Sequence, residues 1–124
     1  MTLLLLVSVA GGLGAVARFA LDTWTTRHVR ADFPVGTFLI NVSGSLLLGL
    51  VTGLAMAQLV SEVWQTVLGA GVMGGYTTFS TASVDTVRLI RQRRAAAAAL
   101  YGVGMLVLSA LLAAVGLWCG LNVG

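Results

Sequence analysis

Lysine is absent from these 124 residues, charged side chains make up only 9% of them, and cysteine and proline occur once each. The shortage of charge excludes most. Ordinary soluble domains carry about 25% charged residues, and a chain this small leaves much of its surface exposed. A composition that is 58% apolar therefore does not suit a cytosolic enzyme or a disordered tail. A single cysteine excludes a disulfide scaffold and a cysteine metal cluster; Cys119, within an apolar run, reads as a packing residue. No acid stands in the middle of an apolar run, which counts against proton-coupled export, since that needs a titrating group inside the membrane. No Ser/His/Asp set and no metal-ligand spacing occurs, and the one histidine, His28, lies in a polar stretch beside arginines.

What is present is apolar sequence long enough to cross a bilayer, for which about 20 residues suffice. Four such segments stand at approximately 2–21, 35–58, 63–88 and 95–120. They predict an all-α integral membrane protein with a single transmembrane domain over 1–124. The first run lacks the basic flank of a signal peptide and continues too far for one, so it reads as a membrane helix. Residues 22–34 are polar and read as a loop with an interfacial Trp24, and Pro34 suits the entry to a helix because it has no N–H to leave unpaired. A short link surrounds Ser61, Glu62 and Trp64, and Arg88 to Arg94 read as a basic loop.

The seven arginines outnumber the acids for a net charge of +3. Their position beside apolar spans favours topology control and lipid headgroups over nucleic acid as the explanation. Arg27, Arg30, Arg91, Arg93 and Arg94, with Arg88 at the edge, fall in the loops after spans one and three, while the other link and both ends carry none. The positive-inside rule then puts those loops in the cytoplasm and both termini outside.

Sixteen glycines lie mostly within the spans, including the GxxxG pairs Gly49/Gly53 and Gly116/Gly120. Small residues four apart let helix backbones approach closely in lipid, within one bundle or against another copy or a relative. In span two, Thr37, Asn41 and Ser45 share one helix face; this stripe faces either a helix partner or a water-filled path, because an unpaired amide in lipid is costly. In span three, GGYTTFSTAS at 74–83 is poor helix-centre material and predicts a break. Freed backbone groups at that depth survive only when buried in protein or lining a polar cavity, where carbonyls can hold cations. A glycine kink satisfied by hydroxyls is the alternative. Arg18 and Asp85 sit near span ends, where the arginine can snorkel and the acid can pair with Arg88 or Arg18.

Three stretches together resemble the Fluc/CrcB family of bacterial fluoride channels: GGLGAVARF at 11–19, GTFLINVSGSLLLG at 36–49, and GGYTTFSTAS at 74–83 followed by Asp85. The resemblance implies four-helix subunits with the third helix broken near its middle, assembled as an antiparallel, dual-topology dimer in the bacterial cell membrane. It implies two narrow fluoride pathways and a structural Na+ at the dimer interface. Carried to matching positions, it makes Thr37, Asn41, Phe79, Ser80, Thr81, Tyr101 and Ser109 the fluoride pathway and Arg18 a vestibule residue. Gly74 and Thr77 would give backbone carbonyls to the sodium. The chain departs from the pattern at Ala82, where the family has a second phenylalanine, and at Met105 and Ala113, where other members often carry hydroxyls. Those departures remove part of the pore lining; the dimer partner is a second copy or a paralogous subunit, and the strong arginine bias suggests an oriented chain paired with a paralogue of opposite bias. A passive fluoride channel subunit is the first reading. A non-conducting structural subunit of a heterodimeric channel is the second, and a small proton-coupled exporter the third.

Overall fold

In a computed structural model, the described residues are 1–29 and 33–123. All regular structure among them is helical. Helix α1, Thr2–His28, is followed by α2, Val35–Met56, which starts at Pro34 as expected. The third apolar segment is composite. A short helix α3, Glu62–Thr66, is capped by Ser61, whose Oγ accepts from the Trp64 amide at 3.3 Å. It runs through a π-helical stretch, Val67–Met73, into one turn of helix, α4, Gly74–Tyr76. Thr77 and Thr78 are extended, and α5, Phe79–Arg91, then departs with Thr78 as its cap. The last helix, α6, is Ala95–Leu121 and opens on the alanine run.

Two expected loops are helical instead. The polar stretch from Asp22 continues α1 to His28, because its side chains serve the helix rather than break it. The hydroxyls of Thr25 and Thr26 donate back to the carbonyls of Leu21 and Asp22 at 2.7 and 2.8 Å. His28 stacks on Trp24 with ring centroids 4.9 Å apart, and Arg27 and His28 suit the negative end of the helix dipole. Polarity marks where a helix leaves hydrocarbon, not where it stops. Arg30 lies outside the described residues. Likewise Arg88 and Arg91 belong to α5, and the expected basic loop shrinks to a tight turn in which Arg93 adopts φ 57°. There the amides of Arg93 and Arg94 close on Ile90 and Leu89, the pattern usually built on glycine. The end of α2 uses the same device with Gln58 at φ 63°.

Close backbone approach organises the packing. The pairs Gly49/Gly53 on α2 and Gly116/Gly120 on α6 face one another. A Cβ at Gly49 would meet the Ala113 carbonyl, and one at Gly116 the Leu46 carbonyl. Both GxxxG pairs are thus spent inside the subunit. Helix α1 packs through Gly14 on the backbone of Val72 and Tyr76, while Gly75 sits on the Gly11 carbonyl. That contact keeps Gly74 and Gly75 helical and confines the break to Thr77 and Thr78. The core holds Ile40 and Tyr101, both fully buried, with Val42, Leu89, Ala98 and Met105. Helices α1, α2 and α6 are long and apolar enough to cross a membrane, which makes this a multi-pass membrane protein.

Candidate functional site

The break in the third segment is held by one side chain of α2. Thr78 presents an amide that can no longer close on Gly74. It donates instead to Asn41 Oδ1 at 2.9 Å, while Asn41 Nδ2 donates to the Thr78 carbonyl at 2.8 Å. The side-chain amide therefore pairs with both backbone groups of Thr78, as a neighbouring strand would. Its second N–H points to Met105 Sδ at 3.2 Å. Asn41 thus joins α2, the break and α6. The rest of the polar stripe diverges. Ser45 Oγ returns to the Asn41 carbonyl at 2.8 Å, and Thr37 is buried beside the Tyr101 hydroxyl.

Phe79 follows the break and is 88% exposed, because the extended Thr77–Thr78 turn swings it off the bundle. Two grooves flank it and meet at Asn41. One, of about 240 Å³, is lined by Gly44, Ser45, Leu48 and Thr77 among others. The other, of about 260 Å³, runs between α5 and α6 past Ala82, Met105, Leu106 and Ser109. Ser109 Oγ is buried with no hydrogen-bond partner among the described residues. Ser80 Oγ lies 3.4 Å from Thr78 Oγ1, and Thr81 donates its amide to that same oxygen at 3.2 Å.

At the end of the molecule where α1 and α5 finish and α2 begins, a larger cavity of about 790 Å³ is lined by Asp22, Thr25, Thr37, Thr81, Asp85 and Arg88, with others. Asp85 is held on two sides. Arg88 Nη1 lies 3.6 Å from its Oδ1, and the Tyr101 hydroxyl donates to its Oδ2 at 3.2 Å. Tyr101 is packed edge-on to Phe33 at 5.1 Å and lines neither groove. Arg18 is half-buried on α1, one turn before Asp22, and is not part of the cavity wall. The structure therefore brings Asn41, Phe79 and Ser109 together, sets Thr37 and Thr81 at the polar cavity, and leaves Arg18 apart.

Gly74 and Thr77 each lose the amide that would close on their carbonyl in an unbroken helix. The Thr78 amide goes to Asn41 and the Thr81 amide to Thr78 Oγ1. Uncharged carbonyl oxygens freed in this way suit a hard monovalent cation, so the donor chemistry fits sodium. Sequence reasoning missed the bond from Asn41 to Met105 and that from Tyr101 to Asp85. The second was findable, since Asp85 and a polar-tipped aromatic lie on adjacent helices; a thioether acceptor leaves no pattern in a sequence.

Residues 5–117 match the family described as CrcB-like protein, Camphor Resistance (CrcB). The chain is 53% identical over 116 residues to "Fluoride-specific ion channel FluC 1" of Leifsonia xyli subsp. xyli, covering 94% of this chain and 85% of that one. It is 48% identical over 118 residues to "Fluoride-specific ion channel FluC 2" of Nitrobacter hamburgensis, covering 94% and 92%. A third relative, "Fluoride-specific ion channel FluC 2" of Cutibacterium acnes, is 46% identical over 121 residues, covering 97% and 98%.

Proposed function

The chain belongs to the CrcB family, and we propose that it is one subunit of a fluoride-selective channel. It would let fluoride leave the bacterial cell passively and so lower its toxicity in the cytoplasm; it is not an enzyme. The observation that carries this reading is the broken third segment. Asn41 braces the break, Phe79 projects from it, and Ser109, whose buried hydroxyl has no partner among the described residues, lines the adjoining groove. Fluoride is small and strongly hydrated, so a dry pore must replace its water with donors. Amide N–H and hydroxyl O–H groups supply them, as does the positive edge of an aromatic ring.

Four spans complete the reading, the segment Glu62–Arg91 being the third. An exposed Phe79 has little to do within one subunit, which supports a second subunit packed over it in antiparallel fashion. The freed carbonyls of Gly74 and Thr77, met by their equivalents, would hold sodium at that interface in the bacterial cell membrane, with lipid around it. Arg27, at the end of α1, and Arg88, Arg91, Arg93 and Arg94, at the α5–α6 turn, lie at the end that holds the polar cavity. Glu62 lies at the start of the third segment, toward the other end, which among the described residues bears no arginine. An antiparallel copy would have to insert against that bias, which favours a paralogue of opposite bias as the partner. Equal amounts of both orientations from a tagged single chain would overturn the pairing with a paralogue.

The channel itself is tested by fluoride efflux from liposomes, read with a fluoride electrode beside a chloride control. Rapid efflux of fluoride alone is expected, from this chain or from the chain with its co-expressed paralogue. Silence in both, with folded protein, would refute the reading. A non-conducting structural subunit is the second reading. It draws support from Ala82, which is 9% exposed in the core beside Met105, where the resemblance has an aromatic ring.

A further inference from the structure

Both N–H groups of Asn41 are occupied, and they are held very differently. One goes to a peptide carbonyl at 2.8 Å, the other to a thioether sulfur at 3.2 Å. A carbonyl is a strong acceptor and a thioether a weak one. The Thr78 bond is also structural, because Thr78 is 8% exposed and releasing it would leave a buried carbonyl unpaired at the break. The bond to sulfur can be given up at little cost. Met105 is unbranched and adaptable, and it lines the groove of about 260 Å³ together with Phe79 and with Ser109, one turn along α6, whose buried hydroxyl has no partner among the described residues.

We propose that Met105 sets how readily Asn41 offers a hydrogen-bond donor to fluoride. Its thioether holds the outer N–H while the groove contains no anion and yields it when one arrives, with the Ser109 O–H as the second donor. The weakness of the acceptor is the functional property. A stronger one would keep the donor from the ion, and none would leave a buried N–H unpaired between ions. This inference rests on the channel reading above.

Two substitutions at this position should act in opposite directions. Met105→Leu keeps the volume and removes the acceptor, so fluoride no longer competes for the donor. Met105→Gln places a stronger acceptor at similar reach. A net hydrogen bond of this kind corresponds to roughly a two- to tenfold change in binding. The direct readout is the side-chain amide signal of Asn41 in protein labelled with 15N-asparagine and held in nanodiscs. It is titrated with sodium fluoride against sodium chloride. The chain has only one other asparagine, Asn122, which serves as internal reference. The Asn41 signals should shift saturably with fluoride, at a lower concentration in Met105→Leu and a higher one in Met105→Gln. Equal half-saturation in all three proteins, or a change of the same sign in both variants, would overturn the proposal, since a packing defect weakens binding in either case. So would a wild-type signal indifferent to fluoride, even if liposomes conduct. Saturable shifts that move oppositely in the two variants, without efflux from this chain or from the chain with its co-expressed paralogue, would instead uphold the tether and sink the channel reading.

Discussion

Replacing Asn41 by alanine removes the side chain that pairs with both backbone groups of Thr78. The amide loses its acceptor at 2.9 Å and the carbonyl its donor at 2.8 Å. Thr78 is 8% exposed and its own hydroxyl is engaged in capping α5, so neither water nor the residue itself repairs the loss. A buried donor or acceptor left unpaired costs about 1–3 kcal/mol, the carbonyl toward the lower end because its geometry is more forgiving. The sum predicts a loss of about 3 kcal/mol, more than a hundredfold in the folded to unfolded ratio. The assay is unfolding in mixed micelles of increasing SDS content, followed by tryptophan fluorescence. Ser45→Ala is the control. Its hydroxyl bonds only to the Asn41 carbonyl within the same helix, and its removal should change stability by less than about 0.5 kcal/mol. An Asn41→Ala midpoint indistinguishable from that control would refute the view that Asn41 holds the break.

Phe79→Ala should leave the stability of the isolated subunit unchanged, because the ring is 88% exposed, yet cut fluoride efflux at least about tenfold; Leu47→Ala, also on an exposed position, should leave efflux within about twofold. Gly116→Leu should destabilise at the top of the overpacking range of about 1–3 kcal/mol, because its obstacles are the Leu46 carbonyl and the Leu50 amide at 2.8 Å rather than side chains that can rotate away. Gly12→Leu, with nothing within 4 Å, should be tolerated by the single subunit; both are read by the same SDS titration. Arg93→Gly should stabilise by about 1 kcal/mol by relieving a side chain at φ 57°, visible as a raised unfolding midpoint, and no change would show that the turn carries no strain.

Helices α2 and α6 lie along two of the apolar runs, and the run GGYTTFSTAS holds the bend in the third segment. Hydropathy failed where it was asked about helix rather than about depth. The residues Asp22 to His28 are polar, but threonines that bond back to their own helix and a histidine stacked on a tryptophan keep the backbone regular there. The π-helical turns at Val67–Met73 have no signal of their own. They arise where glycines on two segments let α1 come against the third segment, which is a property of the pair.

The candidate site divides along the same line. Asn41 was conspicuous because an amide in the middle of a membrane helix demands a partner, yet two explanations, a brace between helices and a donor to an ion, stood equally open. The bonds to Thr78 make Asn41 a brace, and under the proposal above the weaker bond to Met105 leaves a donor in reserve for the ion. One residue can do both because a carboxamide has four hydrogen-bonding directions in its plane, two to accept and two to donate, and the break consumes one of each. A serine at 41 could not span both backbone groups, and an aspartate would hold the Thr78 amide but offer nothing to its carbonyl or to an anion. Asn41→Asp should therefore abolish fluoride passage and weaken the fold together. Met105→Gln should slow passage while leaving the Asn41 bonds to Thr78 in place, so it should weaken the fold less than Asn41→Asp does. That separation of the two effects is what a shared amide requires.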